Sequence, residues 1–224
     1  MNTKYSDITI VLDRSGSMQS VQSDTIGGFN TLLQQQRELK GDKTLLTLIQ
    51  FSTGSEIVFN AVDIQAVAQL TKVNYQPSGC TALLDAVGDA ITAAGNRFVD
   101  MAPDSRPGKV LFVIITDGQE NASNRYNRSR IKEMITTQQN SYQWQFVFLG
   151  ANQDSFTAAD NLGILRMNTS NYYATAVGTA SAFAAVSANV ISYRSDTPEQ
   201  VRSKSFYQVP VEGVDNSNAA VASK

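Results

Sequence analysis

Short apolar segments alternate with longer amphipathic segments along most of the chain. The apolar segments predict β-strands over residues 8–12, 45–51, 110–115 and 144–149. The first and third of these are almost continuously apolar, which indicates central strands covered on both faces. The amphipathic segments predict helices over residues 25–38, 81–99, 129–139, 155–162 and 175–193. This alternation is typical of βαβ units built around a parallel sheet.

Two further segments complete the predicted sheet. Residues 56–62 follow the second strand after only a short loop, so they predict a hairpin and one antiparallel edge strand. Residues 165–167 predict a short last strand. The predicted fold is therefore α/β and Rossmann-like: a doubly wound, mostly parallel sheet with one antiparallel edge strand and helices on both faces.

The composition changes after residue 194, where polar and small residues become dominant. We therefore predict one domain over residues 1–194 and a polar C-terminal tail over residues 195–224. Such a tail is expected to be flexible or to serve as an assembly contact. Residues 206–211, which include Phe206 and Tyr207, are the part of the tail most suited to packing.

Composition narrows the class of protein. The 224 residues are 42% hydrophobic and 17% charged, with a net charge of -2, which suits one well-cored domain. That charge gives no reason to expect nucleic acid or a membrane as partner. The single cysteine, Cys80, and the absence of an apolar leader or long apolar run predict a soluble cytoplasmic protein.

The sequence contains no histidine. This excludes Ser-His-Asp and Cys-His catalysis and every zinc site that depends on imidazole. A metal ion in this protein would have to be held by oxygen ligands, which favour Mg²⁺, Ca²⁺ or Mn²⁺.

Polar side chains follow or precede the predicted central elements at three places. Asp13, Ser15 and Ser17 form a D-x-S-x-S motif after the first strand, Thr81 opens a helix, and Asp117 stands in a T-D-G motif after the strand 110–115. Each motif alone is equally compatible with a helix cap or an ordinary turn. Loops at the carboxyl ends of parallel strands meet at the topological switch point, however, so together the motifs indicate one site.

With these motifs the chain resembles the von Willebrand factor A family, in particular its bacterial or phage-type intracellular single-domain members. The resemblance covers residues 6–194. It implies a metal-ion-dependent adhesion site, here abbreviated MIDAS, with the metal ligands Asp13, Ser15, Ser17, Thr81 and Asp117. Cys80 stands where relatives commonly have Gly or Ser, a difference we expect to be harmless.

Charge counting suggests how such a site would work. Two carboxylates, Asp13 and Asp117, neutralise a divalent cation, and the hydroxyl ligands add no charge. The metal, Mg²⁺ in the first place with Mn²⁺ or Ca²⁺ as alternatives, would then accept one more carboxylate from outside. The resemblance implies that this comes from an exposed Asp or Glu of a protein partner. Residues that could contact this partner at the rim are Arg14, Glu120, Asn121 and Asn152.

Two other functions remain open at this point. The protein could be a structural or assembly subunit in which the metal is not essential. It could also be a Mg²⁺-dependent phosphohydrolase, since Val11-Leu12-Asp13 faintly resembles the haloacid dehalogenase group. Those enzymes need a second Asp where this chain has Ser15, and a hydroxyl is a poor general acid, so we predict no catalytic activity. The partner and the oligomeric state are not indicated.

Overall fold

The computed structural model describes residues 1–151 and 154–207 and contains one six-stranded sheet. The strands are β1 (Asn2–Asp13), β2 (Lys43–Phe51), β3 (Ser55–Asp63), β4 (Pro107–Thr116), β5 (Gln145–Ala151) and β6 (Thr169–Tyr172). Their order across the sheet is β3-β2-β1-β4-β5-β6. All neighbouring pairs are parallel except β2 and β3. The predicted mixed sheet with an antiparallel edge strand is thereby confirmed.

Helices cover both faces of this sheet. They are α1 (Gln22–Glu38), α2 (Leu83–Val99), α3 (Arg128–Tyr142), α4 (Ser155–Leu162), α5 (Ala176–Ser195) and α6 (Pro198–Ser203). In β1, the side chains of Ile8, Ile10 and Leu12 join the core under α1 and α5, whereas Val11 joins the core under α2, α3 and α4. Successive strand residues point to opposite faces, so a strand buried on both faces must be apolar throughout.

The last strand lies a few residues later than the sequence pattern suggested. Residues Arg166–Asn168 form a turn of 3-10 helix, and β6 spans the polar segment Thr169–Tyr172. Leu165, which the pattern placed in a strand, is 55% exposed. Among the described residues, the edge strand β6 pairs with β5 alone, and it buries the polar residues Thr169 and Ser170. Its sequence therefore lacks the apolar run that marks the central strands.

The folded domain continues beyond residue 194, where the change in composition suggested a boundary. Helix α6 begins with a capping box in which the Thr197 hydroxyl and Gln200 bond each other's backbone N–H. Phe206 and Tyr207 are each 5% exposed and belong to the core under α1 and α5. Their rings are edge to face, with centroids 5.1 Å apart. The rest of the predicted tail, residues 208–224, lies outside the described residues.

Helix α5 is long and apolar enough to cross a membrane by length and composition alone. Its sequence contains no uninterrupted apolar run, because Gly, Ser, Thr and Asn stand between the apolar residues. More than half of its most apolar stretch is buried inside the domain, where Phe183, Val186 and Val190 pack in the core. The apolar character of α5 is therefore explained by its place as a core helix.

Candidate metal centre

The sheet order brings the ends of β1 and β4 together. After β1 the chain turns towards β2 on one side, and β4 lies on the other side of β1, which makes their carboxyl ends the topological switch point. Asp13 is the last residue of β1, and Asp117 directly follows β4. Thr81 stands two residues before the start of α2. The three predicted motifs thus lie at one edge of the sheet.

The D-x-S-x-S loop folds around its own aspartate. The backbone N–H of Ser15 donates to Asp13 Oδ1 at 2.7 Å. Ser15 Oγ lies 3.1 Å from Ser17 Oγ, and Ser17 Oγ donates to Asp117 Oδ1 at 2.6 Å. Hydroxyls from the first motif and the carboxylate from the third are therefore in direct contact.

Thr81 reaches the same point, and Gly118 leaves room for it. A methyl group built on Gly118 would lie 3.1 Å from Thr81 Oγ1, 3.7 Å from Ser17 Oγ and 3.9 Å from Ser15 Oγ. These three hydroxyls consequently surround one small space beside the residue that follows Asp117. Asp117 joins these hydroxyls through the hydrogen bond that it accepts from Ser17, and Asp13 lies next to Ser15, whose N–H its Oδ1 accepts.

The capping interpretation of these motifs does not describe the structure. The 3-10 turn Gly16–Val21 follows Ser15, but the Ser15 side chain makes no capping hydrogen bond. Helix α2 has Ala82 at its N-cap position, so Thr81 does not cap it either. The hydroxyls of Ser15 and Thr81 face the Asp117 loop instead of a helix end.

Burial sets the electrostatics of the site. Asp13 is fully buried and Asp117 is 8% exposed. Burial raises the pKa of the Asp13 carboxyl to about 6, against the lowering effect of the hydrogen bond from Thr116. Burial likewise raises the pKa of Asp117. Two carboxylates held out of water and close to each other are destabilised as anions, and a cation between them would favour the charged forms.

Two residues that the sequence did not single out donate hydrogen bonds to Asp13. Thr116 Oγ1 donates to Asp13 Oδ2 at 2.6 Å, and the hydroxyl of Tyr75 donates to the Asp13 carbonyl oxygen at 2.7 Å. Because Thr116 belongs to the T-D-G motif, the sequence could have indicated its role. Tyr75 lies in the connection before α2 and is buried. Its only local sequence signal is that it is an aromatic residue in a polar segment.

Backbone hydrogen bonds join the loops that carry Ser15 and Thr81. The Gly16 N–H donates to the Gly79 carbonyl at 3.0 Å, and the Ser78 N–H donates to the Arg14 carbonyl at 2.8 Å. Gly79 has a φ of +79°, which favours glycine. A side chain there would also meet Thr53 Oγ1. The position of Gly79 thus lets the Thr81 loop approach the D-x-S-x-S loop.

The predicted rim residues make contacts within the domain. Arg14 forms an ion pair with Glu56 of β3 at 3.3 Å. The Glu120 carboxylate accepts the N–H of Leu84 at 2.9 Å, and Asn121 Oδ1 accepts the N–H of Thr81 at 2.8 Å. Asn152 lies outside the described residues. Glu120 and Asn121 therefore stabilise the backbone around the site by accepting N–H groups. The sequence did not indicate this role.

The donor set fits a hard divalent cation. It consists of two carboxylates and three hydroxyls, all oxygen donors of the kind that Mg²⁺ and Mn²⁺ prefer. Across residues 1–151 and 154–207, no group of three or more His, Cys, Asp or Glu side chains is placed to hold a metal. A side chain in place of Gly118 would crowd these hydroxyls, because its first carbon would lie 3.1 Å from Thr81 Oγ1.

The sequence profile of the von Willebrand factor type A domain matches residues 7–188. The chain belongs to this family. Its domains are generally protein-interaction modules, commonly metal-dependent, and are generally not enzymes. Among curated proteins, none matches the chain by sequence.

Solved structures share the fold at low sequence identity. A von Willebrand factor type A protein from Catenulispora acidiphila aligns with a TM-score of 0.59 and 15% identity over 83% of this chain and 42% of its own. Mussel byssus proximal thread matrix protein 1, with a zinc-occupied MIDAS motif, has a TM-score of 0.57 and 13% identity over 80% of this chain and 46% of its own. Manganese-loaded TRAP protein of Plasmodium vivax has a TM-score of 0.55 and 18% identity over 82% of this chain and 74% of its own. The chain spans less than half of the first two proteins.

We expect Gly118→Ala to weaken metal binding without unfolding the domain. The added methyl group would lie 3.1 Å from Thr81 Oγ1, so the hydroxyls must move apart, and we expect Mg²⁺ affinity to fall by about tenfold. Titration calorimetry with Mg²⁺ measures this. Gly95→Ala is the matched control, since a methyl group there meets nothing within 4 Å. Equal Mg²⁺ affinities of the two variants would contradict the placement of the site beside Gly118.

Proposed function

We propose that this protein is a metal-dependent binding module that recognises an exposed Asp or Glu of a protein partner through Mg²⁺. The ion would be held by Asp13, Ser15, Ser17, Thr81 and Asp117. The observation that carries this proposal is their convergence at the carboxyl edge of the sheet, with Ser17 exposed to solvent and Asp13 buried beneath it. Membership of a family of interaction modules supports it.

Charge supports an acidic partner. Two carboxylates balance a divalent ion, so the loaded site has no net charge and does not repel an incoming anion. Other charged groups nearby are already engaged: Arg14 pairs with Glu56, and Glu120 accepts backbone N–H groups. The hydroxyl ligands donate little charge to the metal, which therefore gains from a third carboxylate. A partner Asp or Glu would supply it.

The donor chemistry favours Mg²⁺ or Mn²⁺. Hydroxyl and carboxylate oxygens are hard ligands, and the chain has no imidazole. Only five protein oxygens are proposed to bind, which suits an ion of six-fold coordination better than Ca²⁺, which takes six to eight oxygens. Zinc in the mussel protein and manganese in the Plasmodium protein show that relatives accept other divalent ions.

The phosphohydrolase alternative finds little support in the site. Ser15 occupies the position at which such an enzyme needs a general acid, and its Oγ contacts Ser17. Glu120, the nearest further carboxylate in the loop after β4, accepts hydrogen bonds from Leu84 and Ser123. Hydrolysis of p-nitrophenyl phosphate in Mg²⁺, absent in the Asp13→Asn variant, would favour the enzyme instead.

We expect Mg²⁺ to stabilise the fold. An ion present at about 100 times its dissociation constant adds about 2.7 kcal/mol to the free energy of unfolding, which raises the melting temperature of a domain of this size by about 5–10 °C. Melting curves in excess Mg²⁺ and in EDTA measure this shift. Identical curves, together with calorimetry that detects no Mg²⁺ binding, would refute the metal site.

The partner chemistry can be tested with peptides. Peptides carrying one Asp or Glu are compared with matched peptides carrying Asn or Gln, each with Mg²⁺ and with EDTA. We expect binding only by the acidic peptides and only with metal. Binding that is indifferent to EDTA would favour a structural or assembly subunit, and size-exclusion chromatography in both buffers would show whether the chain self-associates.

A further inference from the structure

Asn121 forms hydrogen bonds with both the N–H and the carbonyl group of Thr81. Its Oδ1 accepts the Thr81 N–H at 2.8 Å, and its own N–H donates to the Thr81 carbonyl at 3.0 Å. We call these two hydrogen bonds the clasp. The clasp joins residues 40 positions apart in the chain. It fixes the peptide groups on both sides of the Thr81 side chain and thereby restricts where Oγ1 can lie.

The same loop also caps the start of α2. The N-cap residue of α2, Ala82, has no side chain able to accept the free N–H groups of the first turn. Glu120 accepts the Leu84 N–H at 2.9 Å, and Ser123 Oγ accepts the Asp85 N–H at 3.1 Å. In return, the Asp85 carboxylate accepts the N–H groups of Asn124, Arg125 and Tyr126. The loop after β4 and the first turn of α2 thus complete each other's hydrogen bonding.

This arrangement links two predicted ligands through one loop. Asp117 stands at the beginning of the loop, and Asn121 lies four residues later. Outside the clasp, the Cys80 N–H donates to Thr53 Oγ1 and the Ala82 N–H donates to the Ser52 carbonyl, both in the loop after β2. The Gly79 carbonyl accepts the Gly16 N–H and so attaches the segment to the D-x-S-x-S loop. The clasp is therefore what ties Thr81 directly to the Asp117 loop.

We infer that Asn121 is a positioning residue that holds the Thr81 hydroxyl in place to bind the metal. This inference rests on the proposed function. A neutral hydroxyl is a weak ligand, so its contribution depends on being held at the right distance before the ion arrives. Partners that orient ligands typically affect metal affinity by about 10–100-fold. Of the two hydrogen bonds of the clasp, the one that depends on the side chain of Asn121 is that from the Thr81 N–H to Oδ1, and substitutions of Asn121 test this bond.

The test compares three variants by Mg²⁺ calorimetry and by melting in EDTA. We expect Asn121→Ala to bind Mg²⁺ about tenfold more weakly, because the acceptor for the Thr81 N–H is lost. Asn121→Asp keeps an acceptor oxygen and adds negative charge near the cation, so its affinity should equal or exceed that of the wild type. The matched control is Asn127→Ala, which removes the cap of α3, where Asn127 Oδ1 accepts the Arg130 N–H at 2.9 Å. It should lower the melting temperature and leave Mg²⁺ affinity unchanged.

Each other result counts against a particular claim. Wild-type affinity in Asn121→Ala would overturn the positioning role while leaving the proposed function in place. Equal weakening in Asn121→Ala and Asn121→Asp would show that the acceptor oxygen is not what matters, which also overturns it. If the wild type binds neither Mg²⁺ nor Mn²⁺, the proposed function itself fails. Asn121→Leu, which keeps the approximate size of the side chain and has no acceptor oxygen, replaces Asn121→Ala if the latter does not fold, with the same expected loss.

Discussion

Replacing Asp13 with alanine is expected to abolish metal binding and, with it, metal-dependent partner binding, while the domain stays folded. Asp13 supplies one of two carboxylates at the site. Losing one unit charge about 4 Å from a divalent cation removes about 8 kcal/mol of interaction at an effective dielectric constant of about 20. Water that replaces the carboxylate recovers part of this energy, so we expect the affinity to fall by at least about a thousandfold. Calorimetry with Mg²⁺ measures this loss, and circular dichroism monitors the fold. The metal-free domain should tolerate the change, since two buried carboxylates disfavour each other.

The matched controls separate charge from shape and from general surface effects. Asp13→Asn keeps the shape of the side chain and an oxygen that accepts the Ser15 N–H. It removes the charge and replaces the oxygen that accepts from Thr116 by an amide group, so it should also lose the metal. Asp104→Ala makes the same substitution at an exposed turn and should bind Mg²⁺ like the wild type. Retention of metal by Asp13→Ala would remove Asp13 from the ligand set. Retention of partner binding without metal would place recognition elsewhere on the surface.

Phe206→Ala is expected to destabilise the domain by about 3–5 kcal/mol, the usual cost of removing a buried phenylalanine. Phe206 is 5% exposed and belongs to the core that includes Phe183 and Tyr193, although it lies in the segment whose composition suggested a tail. That loss is a large part of the stability of an ordinary domain. Urea unfolding of the metal-free protein measures it.

The control for this variant is an aromatic residue that is not packed. Tyr173 is 73% exposed, so Tyr173→Ala should change the free energy of unfolding by no more than about 0.5 kcal/mol. A similarly small effect in Phe206→Ala would mean that the segment after α6 does not contribute to the core. The domain boundary suggested by composition, at residue 194, would then be the better one.

The two halves of the proposed metal site depend differently on their surroundings. Asp13, Ser15 and Ser17 are close in sequence and arrange themselves around the hydrogen bond from the Ser15 N–H to Asp13. Thr81 lies far from Asp117 in the chain and is brought to it by Asn121. Substitutions in the loop after β4 should therefore alter metal affinity even where they remove no ligand, whereas equivalent changes in α3 should not.

The sequence by itself determined the architecture and the donor chemistry. Apolar periodicity is a local property, so it predicted the central strands, the helices α1 to α5 and the antiparallel edge strand β3. The absence of histidine and the motifs around Asp13, Thr81 and Asp117 predicted an oxygen-only site at the switch point. These inferences needed only what each segment carries within a few residues, together with the rule that parallel strands end at one edge.

Only the tertiary structure decided how polar and aromatic residues outside those patterns are used. Glu120 and Asn121, which looked like rim residues, bond to Leu84 and Thr81. Tyr75 supports Asp13 across 62 positions. Phe206 and Tyr207 complete a core whose other described members precede them in the chain. Such contacts depend on which backbone N–H and carbonyl groups the fold leaves unpaired and on which gaps it leaves unfilled. Neither is known until distant segments have packed together.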